Sequence, residues 1–300
     1  MPVRILVSGS SGLIGSALVS ALRADGHDVK RLVRGAATSP DQISWNPAEP
    51  LSPESVPGFD AVVHLAGESI VGRWTEAKKR RIRESRIPAT QLLAAALAKA
   101  QPRPRVFVCS SAVGYYGDRG DEILREDGPS GKGFAAELCR QWEAAAQSVA
   151  SNGIRAVQIR TGVVLSAAGG ALPKMLPPFR MGVGGKLGNG RQWMPWIDLR
   201  DEVGAIQHLL TADSISGPVN MVSPNPVRNA EFTKTLASVL HRPAIFPMPA
   251  FAARLAFGQM ADELLLASQR VEPSKLVVSG YKFQRPDLQP ALEAILAGKA

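Results

Sequence analysis

Cysteine and histidine are scarce in this sequence. Two cysteines, Cys109 and Cys139, occur in 300 residues. Two thiols cannot build a four-cysteine zinc site or a disulfide framework, and they suit a reducing compartment. The four histidines, His27, His64, His208 and His241, are scattered and form no HxH or HxxxH pair. No metal site is expected on these grounds. No uninterrupted apolar run approaches the roughly eighteen residues of a membrane span. The opening Met1-Pro2-Val3-Arg4 lacks the charged and apolar regions of a signal peptide and runs straight into an apolar strand pattern. A cytoplasmic protein that does not enter a membrane is the expectation. Internal repeats and low-complexity tracts are absent as well.

What is present is the composition of a packed protein: 45% hydrophobic and 20% charged residues. That excludes a disordered chain and is enough to bury a large core. Lysine and arginine number 35 against 26 aspartates and glutamates, a net charge of +9. The one dense basic cluster is Lys78, Lys79, Arg80, Arg81, Arg83 and Arg86. Glu76 and Glu84 are interleaved with it, and Ile82 and Ile87 supply an apolar side, so it reads as a solvated helix face. No zinc-finger or RNP-type signature accompanies it, and nucleic acid is not an expected partner. A basic surface also attracts anionic substrates or a phosphate-rich cofactor.

The first half alternates short apolar, β-branched runs with helical periodicity. Val3–Val7, Val29–Val33, Ile43–Trp45, Asp60–Gly67, Val106–Cys109 and Ile154–Ile159 read as strands. Leu13, Ile14, Ala17, Leu18, Ala21 and Leu22 recur at helical spacing, with Gly26 just past the helix end. A long helix carries Leu92, Leu93, Ala96 and Leu97, and another covers about 135–150. Strands apolar on both faces, each followed by a helix, predict an α/β fold with a doubly wound parallel Rossmann-type sheet of seven strands and a smaller C-terminal substrate lobe. From about Val164 the texture changes, with dense glycine and proline between Gly169 and Gly190. Leu199–Leu210, Pro218–Val222 and Asn229–Leu240 are expected as helix, returning strand and helix, with Asn229 as the N-cap of the last. Residues 1–165 are expected to form the dinucleotide-binding domain, with 199–224 returning to it, and 166–300 mainly the substrate lobe.

Gly9-Ser10-Ser11-Gly12-Leu13-Ile14-Gly15 places glycine at every third position between the first strand and the first helix. That context gives the motif its meaning. Gly9 permits the tight turn, Gly12 a close approach of pyrophosphate to backbone, and Gly15 tight packing of helix on strand. The helix N-terminus offers unpaired N–H groups and a partial positive charge. An NAD enzyme usually carries an acid about 20 residues further on. Here Arg34 stands nineteen positions after Gly15, and Asp28 lies at the wrong end of its strand. An arginine there suits a 2′-phosphate, which favours NADP(H) over NAD(H).

At this point the residues resemble an extended short-chain dehydrogenase/reductase. GSSGLIG at 9–15, HLAG at 64–67, SSAVGYYG at 110–117 and RTGVVLS at 160–166 occur in the order of that superfamily. More narrowly, AGESI at 66–70, SRIPAT at 85–90, GYYGD at 114–118, WEAAA at 142–146 and PWIDLRD at 195–201 resemble an atypical NAD-dependent epimerase/dehydratase-like family without an assigned substrate. The segment of about 250–300, with GQMADELLLASQRVEPSKL at 258–276, resembles the characteristic C-terminal segment of that family. The resemblance implies NADP(H) at the C-terminal edge of the strands. It implies that Gly9, Ser11, Gly12, Leu13, Ile14 and Gly15 meet the pyrophosphate and Arg34 the adenosine phosphate. It also implies that Leu65, Ala66, Gly67 and Glu68 line the ribose region, that Ser110 and Ser111 sit near the nicotinamide, and that Arg160, Gly162 and Val163 close the other side.

The sequence departs from the superfamily at its catalytic pair, a Tyr followed four residues later by a Lys. In the expected stretch Phe134 has no hydroxyl and Leu138 no ammonium; one register on stand Ala135 and Cys139. The standard mechanism therefore does not transfer. Ser111, Tyr115 and Tyr116 are the candidate catalytic residues, with Glu68 and Glu137 as candidate acids and Lys132 as a candidate cation. Cys139 reads as a buried small residue. Gly184–Gln192 reads as a flexible lid, with Arg180, Lys186 and Arg191 available to an anionic group. Trp193 and Trp196 could stack on a sugar or ring. Asp198 or Asp201 is expected to cap the following helix. Two functional readings follow: an NADP(H)-dependent oxidoreductase or epimerase on a small polar substrate of the sugar-nucleotide or carbonyl kind, or a catalytically degenerate NADPH-sensing module. A homodimer or protein partner is compatible with either.

Overall fold

The computed structural model describes residues 2–298. β1 (Arg4–Ser8), β2 (Asp28–Val33), β3 (Gln42–Ser44), β4 (Ala61–His64) and β5 (Val106–Ala112) share one sheet with two later strands, Arg155–Thr161 and Gly217–Met221. The spatial order is Gly217–Met221, Arg155–Thr161, β5, β4, β1, β2, β3. Every pairing is parallel. The chain leaves β1 outward to β2 and β3, then crosses back to β4. The order reverses between β1 and β4, so a crevice opens at their C-terminal ends.

The uniform apolar character of the strands has a simple cause. Side chains alternate between two faces, and both faces are covered. Ile5 and Val7 of β1, Val63 of β4 and Val108 of β5 belong to one core. Their neighbours Leu6, Val62 and Phe107 belong to the other. Five helices matter here: α1 (Leu13–Ala24), α2 (Glu76–Glu84), α3 (Ile87–Lys99), α4 (Phe134–Gln147) and α5 (Leu172–Arg180). A sixth, α6 (Leu199–Thr211), packs with α1 over the first core. α3 and α4 cover the second.

The second half builds a third core from Leu172, Phe179, Trp196, Phe232, Leu236 and Leu292. Short strand pairs stitch it to the sheet side: Val163–Leu165 runs parallel to Trp196–Asp198, and Ile123–Leu124 parallel to Arg270–Val271. Asp198 caps α6 by accepting from the backbone N–H of Arg200 at 2.7 Å. Asp201 does not cap. It accepts the N–H groups of Gln284 and Arg285 at 2.7 and 2.8 Å and so holds the C-terminal segment.

Three expectations need revision. The stretch 184–192 is laced rather than loose. Gly184 and Lys186 accept N–H bonds from Phe246 and Met248, and Gly188 donates to Met248. Gln192 Nε2 donates to the carbonyls of Leu187 and Leu265. Asn229 is the first residue of its helix, not the cap, because its side-chain oxygen accepts the Leu187 N–H at 2.8 Å. Trp196 is 1% exposed and belongs to the third core, so it offers no face to a ligand.

Candidate functional site

The glycine loop is shaped by contacts that leave no room for a side chain. Gly9 has φ +71°, and a Cβ there would lie 2.6 Å from the Leu65 carbonyl carbon. A Cβ on Gly15 would lie 2.2 Å from the Gly9 carbonyl oxygen. The loop therefore closes directly onto the segment after β4. Among the described residues no side chain caps the N-terminus of α1, and its first turn holds no acid. Its N–H groups remain available to an anion. Ser11 and Gly12 are exposed at this point, while Leu13 and Ile14 are half-buried.

Arg34 is exposed just beyond the C-terminal end of β2 and makes no ion pair among the described residues. Its neighbour Arg31 is engaged differently, by Asp41 at 2.7 Å. Asp41 also receives Arg23 and Ser39. The hydrogen bonds from Arg31, Ser39 and Arg23 hold its carboxyl far below the usual range. This carboxylate is already committed to Arg31, Arg23 and Ser39, whereas Arg34 has no ion pair among the described residues.

Below the crevice runs a buried polar chain. Ser8 Oγ lies 2.6 Å from His64 Nδ1, and His64 Nε2 lies 3.1 Å from Thr90 Oγ1. Trp142 Nε1 donates to the same hydroxyl at 2.9 Å. Burial, with the nearby Arg86 charge adding to it, pushes the His64 pKa down to about 4, so the imidazole is neutral. Leu65 and Ala66 follow as half-buried loop residues, and Glu68 pairs with Lys78 at 2.8 Å.

On the far side of β4 the structure brings Ser111, Tyr115, Tyr116 and Arg160 together, but unequally. Ser111 is 5% exposed, and its Oγ donates to Glu143 at 2.6 Å. Tyr116 is wholly buried. Its hydroxyl receives Arg160 Nη1 at 2.9 Å and donates towards Asn220 and the Arg125 carbonyl. Burial raises its pKa to about 12. Arg160 is not a free cation on the crevice wall either. It is 2% exposed and chelates Glu143 through Nε and Nη2, both at 2.8 Å. Its guanidinium lies 3.4 Å from the centre of the Tyr115 ring. Tyr115 is half-buried, and its hydroxyl has no hydrogen-bond partner among the described residues. Ser110 is half-buried at the edge. Gly162 and Val163 are fixed by backbone bonds to Met221 and Pro195.

The missing catalytic pair leaves a visible trace. Ala135 and Cys139 are both buried, and burial pushes the Cys139 thiol up to about 12. Glu263 from the C-terminal segment accepts the N–H groups of Phe134 and Ala135 at 3.1 and 2.8 Å. It thus caps α4 from a distant part of the chain. Beside it lies a cavity of about 330 Å³ lined by Gly114, Gly117, Lys132, Ala135, Arg254 and Leu266, among others. Glu137 is absorbed by Arg140 and Gln141 on its own helix. Trp193 stays half-buried between Arg228 and Arg270 and donates to Asp121. Arg180, Lys186 and Arg191 are exposed.

Sequence reasoning gave no role to Glu143, His64 or Glu263. Glu143 had a signal available: it lies four residues after Cys139, on the same face of α4. Arg86 was grouped with the solvated basic face, which describes the exposed Arg80, Arg81 and Arg83 but not the half-buried Lys78 and Lys79. Lys78, Lys79 and Arg80 pair with Glu68, Glu76 and Glu84. Arg86 itself is 9% exposed. Among the described residues no cluster of three or more His, Cys, Asp or Glu could hold a metal, and no helix is long and apolar enough to cross a membrane.

Glu202 sits at the sheet end of α6 and is fully buried. One carboxylate oxygen accepts from Thr161 at 2.8 Å, while Oε2 has no partner among the described residues. Burial pushes this carboxyl up to about 8. The folded state therefore binds the proton more tightly than the unfolded one. Its contribution to stability is complete below the unfolded carboxylate pKa of about 4.3 and is lost as pH rises through about 8. Glu202→Gln is expected to flatten this slope and to stabilise the protein at pH 8 by on the order of 2 kcal/mol. Thermal melts of both proteins across this range check it, and parallel pH profiles would refute it.

The comparisons follow this geometry closely. Residues 5–222 match the NAD dependent epimerase/dehydratase family, and residues 248–295 match a domain of unknown function, DUF1731. An epimerase family protein of Mycobacterium bovis, Mb2239, is 45% identical over 290 residues, covering 96% of each chain. The human epimerase family protein SDR39U1 is 39% identical over 299 residues, covering 98% of this chain and all of its own. A crystal structure of human SDR39U1 with NADPH superposes with a TM-score of 0.91 at 38% identity, over 98% of this chain and 99% of that one. A seven-stranded sheet with its glycine loop at the switch point, and a full-length match on both sides, lead to one conclusion: this chain belongs to the NAD dependent epimerase/dehydratase family.

Proposed function

We propose that the protein binds NADP(H) in the crevice between β1 and β4 and acts on a small polar substrate as an oxidoreductase or epimerase with a nonstandard proton donor. The observation that carries the reading is the uncapped α1 N-terminus together with the unpaired Arg34 at the end of β2. The residues present fit such a group. The backbone of Gly9, Ser11, Gly12, Leu13, Ile14 and Gly15 would take the pyrophosphate, and Arg34 the 2′-phosphate. Leu65, Ala66, Gly67 and Glu68 would border the ribose. Ser110, Gly162 and Val163 would flank the nicotinamide. The NADPH in the human structure supports the same preference here.

When bound, the dinucleotide supplies or accepts a hydride. The chain's own task is to place a proton. Tyr115 Oη, without a hydrogen-bond partner among the described residues, can donate to a substrate oxygen. Arg160 fixes the ring from behind and keeps a positive charge against its face. Ser111 holds its proton toward Glu143 and positions rather than reacts. Tyr116 supports the same network from the interior. A second reading, NADPH sensing without turnover, is favoured by the absence of a Tyr-Lys pair in either register, Phe134/Leu138 or Ala135/Cys139, and by Glu263 closing the helix start.

Calorimetric titration with NADPH and NADH tests the cofactor assignment. NADPH is expected to bind tighter. Arg34→Ala should cost about 10- to 100-fold for NADPH, the loss of charge-assisted hydrogen bonds, and little for NADH. Equal loss for both would sink the 2′-phosphate assignment. Oxidation of NADPH across a panel of carbonyl substrates separates the two functional readings. Turnover that collapses in Tyr115→Phe supports the enzyme; no turnover with any of them supports the sensor.

A further inference from the structure

We propose that Arg86 supplies the cationic contact to the nicotinamide half of the bound dinucleotide, in place of the lysine that α4 lacks. The proposal rests on the NADP(H) reading and deepens it. Arg86 stands between α2 and α3, and its side chain turns inward. Its guanidinium lies 5.0 Å from the Trp142 ring centre. On the other side, a Cβ on Gly67 would sit 3.0 Å from the guanidinium carbon. The group therefore lies between α4 and the loop that follows β4, which is the lip of the crevice.

This cation has few partners. Nη1 donates to the Ile82 carbonyl and the Ser85 hydroxyl at 3.3 and 3.2 Å. Nε and Nη2 make no hydrogen bond among the described residues, and no carboxylate forms an ion pair with it. Glu68 is the acid whose charge reaches it, and Glu68 is already held by Lys78. A cation that is 9% exposed with two neutral acceptors and no paired carboxylate among the described residues is costly to keep. Burial pulls its pKa down accordingly. An oxygen-rich ligand at the crevice would take the two free donor positions.

Location selects which half of the dinucleotide. Arg34 lies at the end of β2, on one side of the α1 N-terminus. Arg86 lies on the other side, against elements that pack over β4 and β5. Its charge acts on the Cys139 thiol, and that sulfur contacts the carbonyl of Ala112, the last residue of β5, at 3.6 Å. Cys139 is the position where the alternative register of the catalytic pair would put its lysine. The cation that faces this part of α4, over the Trp142 ring, thus comes from the α2–α3 junction.

The test uses calorimetry on the full chain with two probes, NADPH and adenosine 2′,5′-bisphosphate, which carries only the adenine-side contacts. Arg86→Gln should weaken NADPH by about tenfold or more, as expected for a charged hydrogen bond, and leave the bisphosphate unchanged. Arg86→Lys should recover part of the NADPH affinity. Arg34→Ala should weaken both probes. NADPH affinity unaltered in Arg86→Gln, or both probes weakened equally, overturns the proposal. If Arg86→Gln does not fold, Arg86→Lys decides alone: NADPH must weaken relative to the bisphosphate, and an unchanged ratio overturns the proposal. Wild-type protein that binds no NADPH would instead refute the underlying cofactor reading, before any Arg86 variant is measured.

Discussion

Gly15→Ala is expected to abolish NADPH binding and to destabilise the protein by about 1–3 kcal/mol, the usual cost of forcing extra volume into a packed site. The added Cβ would meet the Gly9 carbonyl oxygen at 2.2 Å and the Gly9 carbonyl carbon at 2.8 Å. Both are backbone atoms of a turn that already presses on Leu65 and Ala66, so neither can swing aside. Relief requires α1 to move away from β1, which withdraws the N–H groups that face the crevice. Gly12→Ala is the matched control. Its Cβ would come no closer than 3.3 Å to the Gly9 oxygen, so the fold should hold while any bound phosphate is crowded. Melting temperature and NADPH affinity, measured for both variants, separate the two effects. A Gly15→Ala protein with wild-type melting and affinity would mean that the loop is not the cradle described.

The parallel sheet was legible because its strands are short, β-branched and apolar on both faces, and because each is followed by a helical period. Those signals are local. The glycine loop was legible for the same reason, since its meaning depends only on the strand before and the helix after. The place of Arg34 at the end of β2 was readable from spacing along the chain. The stretch 184–192 was misread because glycine density speaks to what a backbone can do, not to what it is bonded to. Its partners, Phe246, Met248 and Asn229, lie at least 37 residues away from it in sequence. No local pattern announces them.

The candidate site divides along the same line. Ser111, Tyr115 and Tyr116 were visible as a cluster because the first lies near the end of β5 and the other two follow it directly. Their inequality was not visible. It depends on Arg160, one strand away in the sheet, and on Glu143, which lies 32 residues from Ser111. Arg86 was hidden by its company. In a run of basic residues the solvated reading fits each member, and only tertiary packing covers Lys78 and Lys79 and buries Arg86. Glu263 was hidden by distance, because a carboxylate capping a helix 129 residues before it leaves no mark on either segment.

The Arg160–Glu143 pair yields the other large expected effect. Its side chains are 3% and 12% exposed, and the contact is bidentate. Arg160→Met leaves the Glu143 carboxylate enclosed without its cation, and Tyr116 loses a donor to its hydroxyl. Removing one partner of such a pair costs about 3–5 kcal/mol. Glu143→Leu should be comparably costly, because it strands the guanidinium and leaves Ser111 Oγ without its acceptor. The double variant removes both charges together. It should therefore be more stable than either single one, since the desolvation penalty disappears with the attraction. Chemical denaturation of the four proteins closes the cycle. Losses that simply add would show that the two side chains act independently, and that the Tyr115 ring does not owe its position to the pair. If the cycle shows strong coupling, Tyr115 should also lose its fixed orientation in Arg160→Met, because the cation 3.4 Å from its ring centre is gone. Any catalytic rate should then fall further in that variant than in Glu143→Gln, which keeps both an acceptor for Ser111 and the arginine beneath the ring.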